Sequence, residues 1–184
     1  MPSVVVVFHS GYGHTQRMAQ AVADGAGAEL LAIDADGNLS AGGWDTLAAA
    51  DAIIFGSPTY MGNVSWQFKK FADASSKPWY VQAWKDKLAA GFTNSAGLNG
   101  DKLLALPAMF ALAMQHSMLW VSQGLMPSQN KASTRDDTNN LVSYSGAIAQ
   151  SPSDGGAADM HPGDLETARL FGKRVAEVAQ KYRR

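Results

Sequence analysis

Three times in this chain of 184 residues an uninterrupted apolar run gives way to a short polar loop containing glycine. Val4 to Phe8 leads into Ser10-Gly11-Tyr12-Gly13-His14-Thr15, and Ala52 to Phe55 into Ser57-Pro58-Thr59-Tyr60-Met61-Gly62-Asn63. Leu88 to Phe92 leads into Thr93-Asn94-Ser95-Ala96-Gly97. Runs without polar alternation are the mark of parallel strands covered on both faces. In an open α/β sheet, ligands bind beyond the carboxyl ends of the strands, where the winding reverses. Three such loops therefore imply one pocket, and their shared position restricts the chain to a small set of folds.

Between the runs the pattern is helical. Met18, Ala21, Val22 and Gly25 recur at helical spacing over 15–25, and Val64, Phe68 and Phe71 do so in a helix starting near Ser65. Strands are expected at 4–8, 29–34, 52–55, 88–93 and 118–122. The segment 34–43 reads as a turn-rich connection. Pro107 is comfortable only in a first helical turn, so the fourth helix is expected from Pro107 to His116. Asp164 should open the last helix as a cap, with Ala168, Phe171, Val175, Val178 and Tyr182 along one side. Trp66, Trp84 and Trp120 are assigned to the core. Repeated β-α units imply right-handed crossovers. The expectation is a flavodoxin-like, doubly wound, five-stranded parallel sheet of order 2-1-3-4-5, with helices on both faces. The whole of 1–184 reads as one domain with an insertion at about 125–162. That segment is rich in Ser, Asn, Asp, Gly and Pro, and is either a lid, binding loop or interface, or a mobile surface excursion.

A net charge of -1 gives no footprint for nucleic acid or an anionic membrane surface. With no cysteine there is no disulfide, thiolate metal site or cysteine nucleophile. The absence of a signal-like start and of a membrane-length apolar run leads to the expectation of a cytoplasmic protein with no membrane insertion. His9, His14, His116 and His161 lack metal-ligand spacing, so no metal is expected. There is no G-x-S-x-G elbow, and Phe8-His9-Ser10 stands where a phosphate-accepting receiver would carry carboxylates.

The first loop carries the most specific chemistry. Gly11 and Gly13 let the backbone approach a ligand closely, and the following helix presents free N–H groups to a phosphate. Ser10 and Thr15 add hydroxyls. The loop has no lysine and no third dinucleotide glycine, so a monophosphate suits it better than a triphosphate or a dinucleotide. The competing reading is an ordinary strand–helix turn with a serine cap. In the second loop Ser57 precedes proline and should be extended, which carries Thr59 and Tyr60 outward, where Tyr60 could offer its ring to a planar ligand. His116 reads equally as a functional group or as the end of a helix. Trp79 could instead simply cover apolar surface beside Pro78.

Tyr12-Gly13-His14-Thr15, Gly56 to Asn63, Trp79, Gln115 to Met118, Asp154-Gly155-Gly156 and Glu166 to Arg169 occur in the order seen in the WrbA family, which the chain resembles. The resemblance implies FMN, NADH or NADPH as electron donor, a quinone as acceptor, and a homo-oligomer, a dimer or tetramer. It implies that Ser10, Gly11, Tyr12, Gly13, His14 and Thr15 hold the FMN phosphate. Pro58, Thr59, Tyr60, Met61, Gly62 and Asn63 would flank the isoalloxazine ring, with Thr93, Asn94, Ser95, Ala96 and Gly97 at its border. His116 and Tyr60 would be catalytic, and Tyr12 and Trp79 would line the nicotinamide and quinone pocket. Tyr60 departs from the family, which usually has arginine there. The 93–100 loop is poorer in glycine than usual, and 124–153 follows a different pattern. The implied activity is FMN-dependent NAD(P)H:quinone reduction. A flavodoxin-type carrier that docks to redox proteins is the alternative, although a net charge of -1 lacks the acidic docking face of such carriers.

Overall fold

A computed structural model describes residues 1–183. The order is β1 (Val4–His9), α1 (His14–Ala26), β2 (Glu29–Ile33), α2 (Gly43–Ala49), β3 (Ala52–Tyr60), β4 (Asn63–Val64), α3 (Trp66–Ala74) and α4 (Ser76–Tyr80). It continues with β5 (Leu88–Ser95), α5 (Lys102–Gln115), β6 (Leu119–Trp120), β7 (Ala147–Gln150), a 3-10 turn (Ala157–Asp159) and α6 (Pro162–Tyr182). The main sheet runs β2-β1-β3-β5-β6 with parallel neighbours, the flavodoxin-like order. Successive side chains of a strand point to opposite faces, and the core divides accordingly. Val4, Val6, Phe8, Ile54 and Phe92 meet Met18, Val22, Phe171 and Val175 on the α1/α6 face. Val5, Val7, Ile53 and Phe55 meet Leu47, Phe68, Trp84, Leu106 and Met109 on the other.

Several boundaries differ from the sequence expectation. β3 continues through Pro58 to Tyr60, and β5 reaches Ser95, so much of the second and third loops is strand. β3 still pairs with β5 at Pro58, which lies opposite Asn94, but its pairing with β1 ends at Gly56, so Pro58 is at an edge on that side, where a missing amide is tolerated. Pro107 sits inside α5, which starts five residues before it; the ring removes one helical donor, a cost outweighed by the burial of Ala105, Leu106, Met109 and Ala113 on the same helix. Asp164 does not cap α6. It is the third residue of that helix, buried, and accepts from Arg135 at 2.8 and 2.6 Å and from the Gln150 amide at 2.8 Å. Trp66 is 59% exposed rather than buried, and Tyr182 is 53% exposed, whereas Trp84 is fully enclosed.

The fifth strand is divided. β6 pairs with the start of β5, at Leu88 and Ala89, and β7 pairs with its end, from Phe92 to Ser95. The chain leaves the sheet after Trp120 and returns at Ala147, so the expected 125–162 loop contains a strand and a 3-10 turn. The excursion is fastened to α6 by Arg135 on Asp164 and by the Asn139 amide donating to Thr167 Oγ1 at 2.8 Å.

Helices α1 and α6 approach through two glycines. A Cβ on Gly172 would lie 2.0 Å from the Val22 carbonyl oxygen, and one on Gly25 would lie 1.8 Å from that of Arg169. Neither obstacle is a flexible side-chain tip, so the helices must separate to admit a methyl group. Gly172→Ala is expected to lower unfolding free energy by about 2 kcal/mol in chemical denaturation, even though alanine is the better helix former.

Candidate functional site

The three segments converge at the carboxyl ends of β1, β3 and β5 on a cavity of ≈ 500 Å³. Tyr12, His14 and Thr15 come from the first, Pro58, Thr59 and Tyr60 from the second, and Asn94, Ser95 and Ala96 from the third. A fourth wall, Ser151 to Ser153 with Gly155 and Gly156, comes from the chain after β7. Sequence reasoning gave that wall no role. The Asp154-Gly155-Gly156 turn before the last helix was the available signal.

Hydrogen bonds tie the walls together. Thr15 Oγ1 donates to Asn94 Oδ1 at 2.7 Å, and Asn94 Nδ2 donates to Ser151 Oγ at 3.0 Å. Thr59 and Thr93 share a hydroxyl contact of 2.7 Å beneath the pocket. His14 Nε2 lies 3.1 Å from the Gly155 carbonyl oxygen, to which it can donate. Ser151 N donates to the Ser95 carbonyl at 2.9 Å. All four segments are thus linked.

The first loop leaves open donors at the head of α1. Gly13, the residue before α1, has φ of 89°, which favours glycine. Ser10 Oγ accepts from the amides of Gly13 and Gln16, both at 3.1 Å, so the serine does cap the turn. The amides of His14 and Thr15 nevertheless donate to nothing among the described residues. They lie at the N-terminus of a helix of 13 residues, where the dipole favours an anion. At Gly11 a Cβ would fall 2.6 Å from Tyr60 Oη, so a side chain there would displace the Tyr60 ring from its contact with the first loop. Tyr12 meets Tyr60 edge-on, with ring centroids 6.4 Å apart. Burial raises the Tyr60 phenol pKa, with Tyr12 adding to the effect, and the phenol stays protonated near neutrality. Open amides, two glycines and an aromatic pair at the mouth fit a mononucleotide carrying a planar ring, as FMN does.

Not every expected residue reaches this cavity. Thr93 is buried below it, Gly97 contributes its carbonyl to Lys102, and Met61 is fully exposed with φ of 47°. Gly62 forms the adjoining turn with φ of 75°. His116, Trp79 and Asn63 line a second, larger cavity of ≈ 1110 Å³ between α3, α4 and α5, which Tyr60 also touches. Tyr60 is therefore common to both. His116 ends α5, lies against Trp84 with ring centroids 4.2 Å apart and planes tilted by 31°, and bonds Ser75 Oγ through Nε2 at 2.9 Å, while its Nδ1 has no partner among the described residues.

The chain also matches known proteins. Residues 44–132 match the family model for NADPH-dependent FMN reductases. Over 181 residues it is 55% identical to Flavodoxin FldP of Pseudomonas aeruginosa, covering 98% of each chain. It is 33% identical to an NAD(P)H dehydrogenase (quinone) of Syntrophobacter fumaroxidans, again over 98% of each. The solved flavodoxin, WrbA-like protein from Agrobacterium tumefaciens is 56% identical, with a TM-score of 0.83 over 99% of both chains.

Burial pushes the His116 imidazole down to about 4, and burial also lowers His9. Below about 6.5 the unfolded chain takes up protons that these native rings refuse. Stability is then complete above about 6.5, falls as the pH drops towards about 4, and levels off below it. Thermal unfolding should show a loss of about 2–3 kcal/mol across that window, and His116→Gln should flatten most of it, leaving the smaller His9 share. From its fold, pocket and relatives, the chain belongs to the WrbA-type, flavodoxin-like family of FMN-binding oxidoreductases.

Proposed function

We propose that the protein is an FMN-dependent oxidoreductase that takes electrons from NADH or NADPH and passes them to quinone-type acceptors. The observation that carries this reading is the meeting of two cavities at Tyr60, one shaped for a mononucleotide and one lined largely by apolar groups. Bound FMN supplies the redox chemistry, and the protein supplies position and electrostatics. The amides of His14 and Thr15, with the Ser10 hydroxyl, hold the phosphate. Tyr12 and Tyr60 enclose the ring, with Pro58 and Thr59 below them and Asn94 to Ala96 at its border. Tyr60, with a protonated phenol, stands between the flavin and the larger cavity, where Trp79 and His116 receive a flat acceptor.

A homo-oligomer, dimer or tetramer, belongs to this reading. Between Lys102 and His116, helix α5 carries no charged side chain, yet Leu103, Leu104, Phe110 and Met114 are 40–65% exposed. A helix apolar all round belongs in an interior, and a second copy of this chain supplies one. That assembly would also enclose the α5 side of the larger cavity.

The flavodoxin-type carrier is a second reading, favoured by the name of the Pseudomonas aeruginosa relative. Carriers draw in redox partners with one-signed faces, and this chain has 15 basic against 16 acidic residues. An anaerobic stopped-flow mix of FMN-loaded protein with NADH, then NADPH, separates the two readings. Rapid bleaching of the flavin by either nucleotide, reversed by benzoquinone, is expected. Flavin that ignores both nucleotides and is reduced by dithionite in two well-separated steps would establish the carrier.

A further inference from the structure

Lys102 is a charged residue where the fold gives least reason for one. It is 1% exposed, although it opens α5, a helix of 14 residues whose N-terminus already carries positive potential. Burying an ammonium there is costly on both counts. Its Nζ is aimed at the third loop, donating to Ser95 Oγ at 2.7 Å and to the Gly97 carbonyl at 2.5 Å. Ser95 in turn lines the mononucleotide pocket. The charges acting on it are those of Asp164 on α6 and Arg135 on the excursion between β6 and β7, which pair bidentately with each other at 2.8 and 2.6 Å. Asp101, next in the chain, is exposed to solvent. The local sum is one uncompensated positive charge directly behind the loop.

We propose that Lys102 fixes the Ser95–Gly97 border of the flavin pocket and lends it a positive charge that favours reduced over oxidised flavin. The inference rests on the FMN reading above. Two electrons taken up with one proton leave the flavin one charge more negative, and the ammonium behind the loop opposes that charge without giving up its own proton. Lys102 is thus a positioning residue that acts through Ser95 and Gly97. Burial lowers its own ionisation to about 8, with Asp164 pulling it back up and Arg135 pushing it down. The charge is therefore present at neutral pH and is withdrawn in alkali.

The test is the midpoint potential of bound FMN, read against a redox dye in the wild type, Lys102→Gln and Lys102→Arg. FMN affinity is measured in parallel by quenching of flavin fluorescence. At pH 7, Lys102→Gln is expected to shift the reduced-to-oxidised ratio on the order of tenfold towards oxidised, as removal of a nearby unit charge would. Lys102→Arg should restore most of the shift. The wild type should approach the Gln variant as the pH rises above about 8. A Gln variant that binds FMN at the wild-type potential overturns the proposal. If that variant does not fold, a wild-type potential that follows free FMN through the alkaline range overturns it equally. Wild-type protein that binds no FMN would instead overturn the flavoprotein reading beneath it.

Discussion

The pocket depends on one buried side-chain amide. Asn94 accepts from Thr15 and donates to Ser151, three residues separated by 79 and 57 positions in sequence. A primary amide has both donors and acceptors, so it can join two hydroxyl groups that use opposite sides of it. Asn94 is 4% exposed, and a partner withdrawn from it would leave a polar atom dry at a cost of about 1–3 kcal/mol. The first, third and fourth walls are therefore set relative to one another by the strand that carries Asn94. The second wall is set by Thr59 on Thr93 one position earlier in β5. The pocket inherits the rigidity of the central sheet rather than the freedom of its loops.

The divided fifth strand follows the same logic. Its first half ends at Trp120 and its second begins at Ala147, yet both pair with β5. This return places Ser151 against Asn94 and brings Gly155 to His14. The intervening chain is held by the ion pair of Arg135 with Asp164, which is almost wholly buried and also accepts from the Gln150 amide of β7. Loss of Arg135 would strand the buried Asp164 carboxylate in a low-dielectric interior, and loss of Asp164 would free the strand next to the fourth wall from α6. Fold and site are thus coupled through α6, which packs on α1 only because Gly25 and Gly172 let the backbones meet.

Much of this was legible in the sequence. Unbroken apolar runs identified β1, β3 and β5 as parallel strands, their order followed from the doubly wound fold class, and glycine with hydroxyl residues marked the loop at the head of α1. What was missed follows from tertiary context. Pro107 sits within α5 because packing outweighs a single lost helical bond, and the extension of β3 through Pro58 relies on pairing that composition does not show. β7 is four residues long and lies in a polar stretch, so its strand character comes from β5, not from its own pattern. Asp164 has the look of a cap, and only the fold reveals Arg135 beside it. Tyr12 and Trp79, expected in one pocket, line different cavities, Trp79 sharing the larger one with His116, and among the described lining residues Tyr60 joins the two.

Hydrogen exchange of the protein with and without FMN tests most directly whether four separate segments form one cofactor cradle. FMN should slow exchange together in 10–16, 57–63, 93–97 and 151–156, with the amides of His14 and Thr15 among those most affected. Protection confined to the chain between β6 and β7, or absent from the head of α1, would contradict the cradle assigned to these loops.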